Sequence, residues 1–232
     1  ANLGATVHYR QGDSDEDRTA YGEVVLAAIG RVPNTDADWF RSSGLKLDER
    51  GYVTVDGYGR TNLDGVWALG DITPGHALAH RAFEQGITIA EKIAGADPKP
   101  VIDDTVPQVV FSFPEAASVG LTLDQAKARE DVVEPKETAY PMLSNARMLM
   151  SGEGGSMTVV SGAFANNPDM QVVLGVHIVS PIASDLIAEA EQLVGNRVPL
   201  ADAARLIHPH PTFSETLGEA LLKADGRPLH TR

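Results

Sequence analysis

Thr61-Asn62-Leu63-Asp64-Gly65-Val66-Trp67-Ala68-Leu69-Gly70-Asp71 is the stretch on which the reading of the fold turns. Its apolar run Val66–Leu69 predicts a short buried strand, stopped by Gly70-Asp71. Gly70 permits close approach of a ligand to the backbone. Asp71, at the carboxyl end of such a strand, accepts hydrogen bonds from sugar-like hydroxyls at the edge where open α/β sheets bind ligands. For the Gly-Asp pair alone, a turn glycine and a helix-capping aspartate are the better account, and only the whole eleven-residue pattern is specific.

Working outward, Ala77, Phe83, Ile87, Ala90 and Ile93 fall at helical spacing and predict a helix over Ala77–Ala94, with Gly95 as its stop. Upstream, Ala5–Arg10 and Glu23–Ile29 read as strands, the second a continuous apolar run of the kind buried on both faces, with Gln11–Arg18 as a turn. Tyr52–Val55 alternates like a short half-exposed strand. Gly95-Ala96-Asp97-Pro98-Lys99-Pro100 is the best linker. Beyond it, strand-like segments (Val109–Phe113, Val132–Tyr140, Met157–Phe164, Val172–Val179) precede helical ones (Leu186–Val194, Leu200–Ile207, and one from near Ser214). That order predicts an α+β unit whose antiparallel sheet is covered on one face, following an α/β portion.

Composition narrows the function. A net charge of −13 argues against nucleic acid as a partner. No apolar run approaches the ~18 residues of a membrane span, and no basic-then-apolar leader opens the chain, so a cytoplasmic, membrane-free protein is expected. With no cysteine, the chain holds no disulfide, thiolate metal site or thiol nucleophile. No metal site is expected.

The most chemical segment is His208-Pro209-His210-Pro211-Thr212-Phe213-Ser214-Glu215. Histidine titrates near neutrality and suits a proton acceptor; a carboxylate beside it fixes the tautomer and stabilises the imidazolium. Prolines on both sides of His210 stiffen the backbone, and Glu215 is placed to fold back from the following helix. Thr212-x-x-Glu215 is also a capping box, which would make Glu215 a structural residue at a helix start; both readings stand.

Taken in order, these motifs resemble the flavin-dependent disulfide reductases. The stretch Thr61–Asp71 resembles their second FAD-binding sequence, and Ala77-Leu78-Ala79-His80 resembles the segment opening a helix beneath the flavin, whose N-terminal N–H groups favour negative charge on the reduced ring. Ala28-Ile29-Gly30-Arg31-Val32-Pro33-Asn34 resembles the passage from the NAD domain back to the FAD domain, with Gly30 close to the nicotinamide nucleotide. The His-x-His-Pro-Thr-x-Ser-Glu string resembles dihydrolipoamide dehydrogenases more closely than glutathione or mercuric reductases. Glu115–Thr122 and Ser144–Arg147 match the dimerisation domain.

The resemblance implies residues 1–30 as the remnant of an NAD-binding domain, 31–100 as the C-terminal part of an FAD-binding domain and 101–232 as a dimerisation domain. It implies His210 as base and Glu215 as its partner, with His208 not catalytic. Gly70, Asp71, Ala77, Leu78, Ala79 and His80 would hold FAD, and Gly30 would face NAD. The implied partners are a second copy of the chain and the lipoyl domain of a 2-oxoacid dehydrogenase or glycine-cleavage complex. The family's first Gly-rich fingerprint, its Cys pair and its NAD fingerprint are not in this sequence. The expectation is therefore a C-terminal portion of an oxidoreductase serving cell redox homeostasis, inactive alone, in preference to a divergent protein that lost its front half. Alternatives are another disulfide or quinone reductase of the same fold, or a dimerisation module without activity; protein-bound flavin would separate these.

Overall fold

The computed structural model describes residues 4–231; positions 1–3 and 232 of the expected first and last segments lie outside them. The chain runs β1 (Ala5–Tyr9), β2 (Arg18–Gly22), α1 (Asp38–Ser43), α2 (Ala79–Ile93), β3 (Gln108–Val110), β4 (Glu115–Gly120), α3 (Leu123–Ala128), β5 (Val132–Pro141), α4 (Ala146–Ser151), β6 (Ser156–Phe164), β7 (Asn167–Ser180), α5 (Ala183–Gly195), α6 (Leu200–Ala203) and α7 (Glu215–Ala224).

The second half is the expected α+β unit. Five antiparallel strands lie in the order β3-β4-β7-β6-β5, and α5 packs on β4 and β7 while α7 packs on β5 and β6. Leu186, Ile187, Leu193 and Val194 of α5 and Leu217 and Leu221 of α7 meet Val119, Met157, Val159, Val176 and Ile178 of the sheet. Each such side chain contributes about 1.5–3 kcal/mol on burial. These α5 residues therefore form the core of this unit, and a subunit contact is not needed to explain them.

A bulge organises the middle of the sheet. Val160 pairs with Gly175 but Ser161 pairs with Val173, leaving Leu174 as an extra residue on β7. The extra residue reverses which side chains face the helices. Val176 and Ile178 lie in the main core, whereas Val172 and Leu174 join Val160 and Ala126 in a second cluster under α3. Gly120, opposite Gly175 in the register, is left-handed at φ +79°; a Cβ there would stand 2.2 Å from the Leu174 oxygen. The two glycines let β4 and β7 close over the bulge.

The first hundred residues depart from expectation. Glu23–Ile29 forms no strand, and Ile29 is 97% exposed. Residues 4–22 supply a solvent-exposed hairpin, β1 with β2, whose strands do not pair with that run. An apolar run becomes a buried strand only where neighbours take its N–H and C=O groups. Tyr52–Val55 and Val66–Leu69 each reduce to a single bridge, Leu47 with Val53 and Arg60 with Trp67. The predicted helix forms as α2, but Phe83, Ile87 and Ile93 face solvent while Arg81, Thr88 and Ile89 are buried. Leu200–Ile207 shortens to the four residues of α6.

Candidate functional site

The site lies where the loop before α7 meets the loop after β5. Asn145 caps α4, its side-chain oxygen accepting from the N–H groups of Arg147 (2.9 Å) and Met148 (3.1 Å), and its amide donates to the Thr212 carbonyl at 3.2 Å. One residue thus starts a helix and ties the two loops together. From the other side, His208 is anchored to α5 through Nε2 and Glu189 Oε1 at 2.8 Å.

His210 follows, with Nδ1 2.9 Å from Glu215 Oε1. The spacing brings the two expected partners together. A carboxylate on Nδ1 keeps the proton there and leaves Nε2 as the acceptor, on a ring that is 71% exposed at its side chain. Glu215 Oε2 accepts the Thr212 N–H at 2.7 Å. The capping box is half formed: the Thr212 hydroxyl donates to Pro209 O at 2.7 Å and pairs with Ser214 Oγ. Glu215 thus holds the helix start with one oxygen and the imidazole with the other. Burial works against its charge, but the Thr212 N–H and His210 outweigh it and hold the carboxyl below its ordinary value.

A second pair, missed in the sequence, stands one turn along α7. Glu219 is buried at 9% exposure; its Oε1 is 2.8 Å from His230 Nδ1 and its Oε2 accepts the His230 N–H at 3.3 Å. Asn145, Leu149, His210, Glu215, Glu219 and His230 line one cavity of about 170 Å³. The only sequence signal was the i, i+4 spacing of the two glutamates. Tyr140 of β5 is fully buried with no partner for its hydroxyl; burial, then the charges of Glu219 and Glu215, push its pKa up to about 12.

The other expected residues gather elsewhere, and none of Gly70, Asp71 or Ala77–His80 lines the His210 cavity. Asp71 lies in a single 3-10 turn, Gly70–Ile72, and its carboxylate meets Arg31 at 2.7 Å, which brings the neighbour of Gly30 to it. Gly30 and Gly70 are both left-handed, at φ +107° and +73°. Helix α2 begins at Ala79, two residues after the expected start at Ala77, following an extended Leu78 with no side-chain cap. His80 Nε2 donates to Pro107 O at 2.7 Å. Among the described residues no three His, Asp or Glu side chains stand close enough to hold a metal ion, and no helix is long and apolar enough to cross a membrane.

His208 carries a pH signature. Its hydrogen bond to Glu189 raises its pKa; burial opposes this, and the Glu189 charge and the Leu206 backbone add to it. A raised histidine contributes stability that is complete below its unfolded value of about 6.5 and lost as pH rises through the folded one. His208→Gln should lower the melting midpoint by about 2–4 °C near pH 5.5, with the gap to wild type shrinking as the pH rises through the raised folded value. A gap independent of pH would show that His208 acts by packing alone.

An antiparallel sheet under α5 and α7, presenting a His–Glu pair from the loop before the last helix, is the architecture of a disulfide reductase dimerisation unit. The chain belongs to the pyridine nucleotide-disulphide oxidoreductase family: the dimerisation-domain pattern of that family matches residues 106–221 and its oxidoreductase pattern residues 3–86. It is 40% identical to the dihydrolipoyl dehydrogenase of Cupriavidus necator and 38% to that of Geobacillus stearothermophilus, each over 98% of this chain and 46% of the relative. The chain thus spans about half the length of these relatives. Among solved structures it is similar to LpdA of Mycobacterium tuberculosis, with a TM-score of 0.80 and 30% identity over 94% of this chain and 47% of that one. The disulfide reductase RclA of Escherichia coli, at 24% identity and a TM-score of 0.75 over 88% of this chain and 46% of that one, shares the fold.

Proposed function

We propose that this chain is the C-terminal portion of a dihydrolipoamide dehydrogenase, in which His210 takes the proton of the dihydrolipoamide thiol and Glu215 orients it. The observation that carries the reading is the 2.9 Å contact of His210 Nδ1 with Glu215, which leaves Nε2 open on an exposed ring. Only the thiolate attacks a disulfide, so a base at the site sets the rate of attack. When the proton is held on Nε2, the Glu215 carboxylate balances the imidazolium, and the Thr212 N–H keeps that carboxylate in place.

FAD is the cofactor of this reading, and the residues fit it. The first turn of α2 has no side-chain cap and no acidic residue, so its N–H groups are available to an anionic group. The Arg31–Asp71 ion pair joins two exposed groups, a contact worth about 0–1 kcal/mol, so a ribityl hydroxyl can compete for Asp71. FAD supplies the electron acceptor between disulfide and NAD. Gly30, with open space around its α-carbon, suits the approach of a nicotinamide nucleotide. The domain limits 1–30, 31–100 and 101–232 follow the same reading, with a homodimer as the active form, a lipoyl domain as partner and the cytoplasm as location.

The test is to compare this chain with a polypeptide extended by the upstream coding sequence. The chain alone should form no NADH from dihydrolipoamide, whereas the extended protein should carry a Cys-x4-Cys pair, bind flavin and turn over. Turnover by the cysteine-free chain, or an upstream sequence without that pair, would refute the assignment.

A further inference from the structure

We infer that Glu219 and His230 are positioning residues for His210, a second carboxylate–imidazole pair whose charge sets how firmly His210 holds its proton. The geometry is that of two pairs side by side on one helix face. Glu215 and Glu219 are separated by one turn of α7, each meets the Nδ1 of a histidine, at 2.9 and 2.8 Å, and all four side chains line the same cavity. Like charges at i, i+4 repel, and a carboxylate as buried as Glu219 requires a partner. His230 meets both needs with its ring and its N–H, which also folds the exposed turn after α7 onto the helix. The buried Tyr140 hydroxyl feels both carboxylates, so the two charges act on common ground.

Of the titratable and charged groups on the neighbouring elements, Tyr140 of β5 feels Glu219 and Glu215, Arg147 of α4 lies over the Phe213 ring at 5.3 Å, and His208 is held by Glu189 of α5. Replacing Glu219 or His230 changes the charge in the cavity with opposite signs. A negative Glu219 favours the imidazolium of His210, whereas a protonated His230 disfavours it. A purely structural role for the pair, pinning the C-terminal turn, has no such opposition of sign.

The experiment is an NMR titration of the His210 ring in this chain. In Glu219→Gln the His210 midpoint should fall, by up to about half a pKa unit, the order of a unit charge acting across a few ångström of water. In His230→Gln it should rise by a similar amount, and the double variant should return close to wild type. Shifts in the same direction, or none, would overturn the inference. Should either Gln variant fail to fold, Glu219→Asp keeps the charge and should leave the His210 midpoint near wild type, while Glu219→Asn removes it and should lower the midpoint; equal midpoints in the two would overturn the inference. The bearing on catalysis rests on His210 being the base, so the same substitutions in the extended enzyme should move the limb of kcat/KM that reports this base by the same amount. A ring shift that the rate profile does not follow would leave the coupling intact and refute the assignment of His210.

Discussion

His210→Gln in the extended enzyme is expected to reduce turnover with dihydrolipoamide by about 10²–10⁴, the usual contribution of a positioned general base. Glutamine can still donate to Glu215, so the loop should keep its shape; an unchanged melting midpoint would separate lost chemistry from lost structure. Glu215→Gln should cost less, because Pro209 and Pro211 still frame the ring and the Thr212 N–H still has an oxygen to meet. The order of the two effects is the informative part. Full activity in Glu215→Gln would leave that residue as a helix cap only, and full activity in His210→Gln would remove the proposed base.

The other large effect concerns subunits. An enzyme lacking His210 and an enzyme lacking the redox cysteines should each be almost inactive, yet a mixture allowed to exchange subunits should regain activity. His210 and Asp71 sit before different helices, α7 and α2, and share no cavity, so the base need not serve the flavin of its own chain. Exposed apolar residues stand close to the base in sequence and space, with Ile207 three positions before it and Leu149 in the wall of its cavity; apolar surface of this kind marks contact sites. A two-fold contact repeats the same patch on both partners, so one heterodimer holds one complete site and one doubly deficient site. Confirmed heterodimers without activity would refute a site shared between chains.

The dimerisation unit was largely legible in the sequence because its strands are rich in β-branched residues and end at polar breaks. Val132–Tyr140 and Met157–Phe164 became β5 and β6 almost to the residue. Strand β4 was not legible: Glu-Ala-Ala-Ser-Val-Gly has little intrinsic preference for a strand and owes its state to β3 and β7 on either side. The opposite error occurred at Glu23–Ile29, where the pattern was right but no strand stood ready to pair. Helix α2 shows a third limit. Periodicity fixed the helix but did not say which face is covered: Arg81 is taken inside by Asp103 and the Pro74 carbonyl, while the apolar residues that carried the period face solvent. At the site, His210 and Glu215 were readable because they stand only five positions apart in one motif. Glu219 and His230 were not, because the contact between them is made by a turn that no local pattern announces.

Gly218 lies in the middle of α7, where glycine is a poor choice by about 1 kcal/mol against alanine. The reason is the His208 ring, which lies so close to the helix that a Cβ on Gly218 would stand 2.6 Å from its Nδ1. The loop carrying His210 is therefore seated on bare backbone. For anyone sorting related sequences, the histidine and glutamate mark the proposed chemistry, but the small residue eight places after His210 marks the mounting. A chain that keeps the motif and enlarges that position has had to hang its histidine differently.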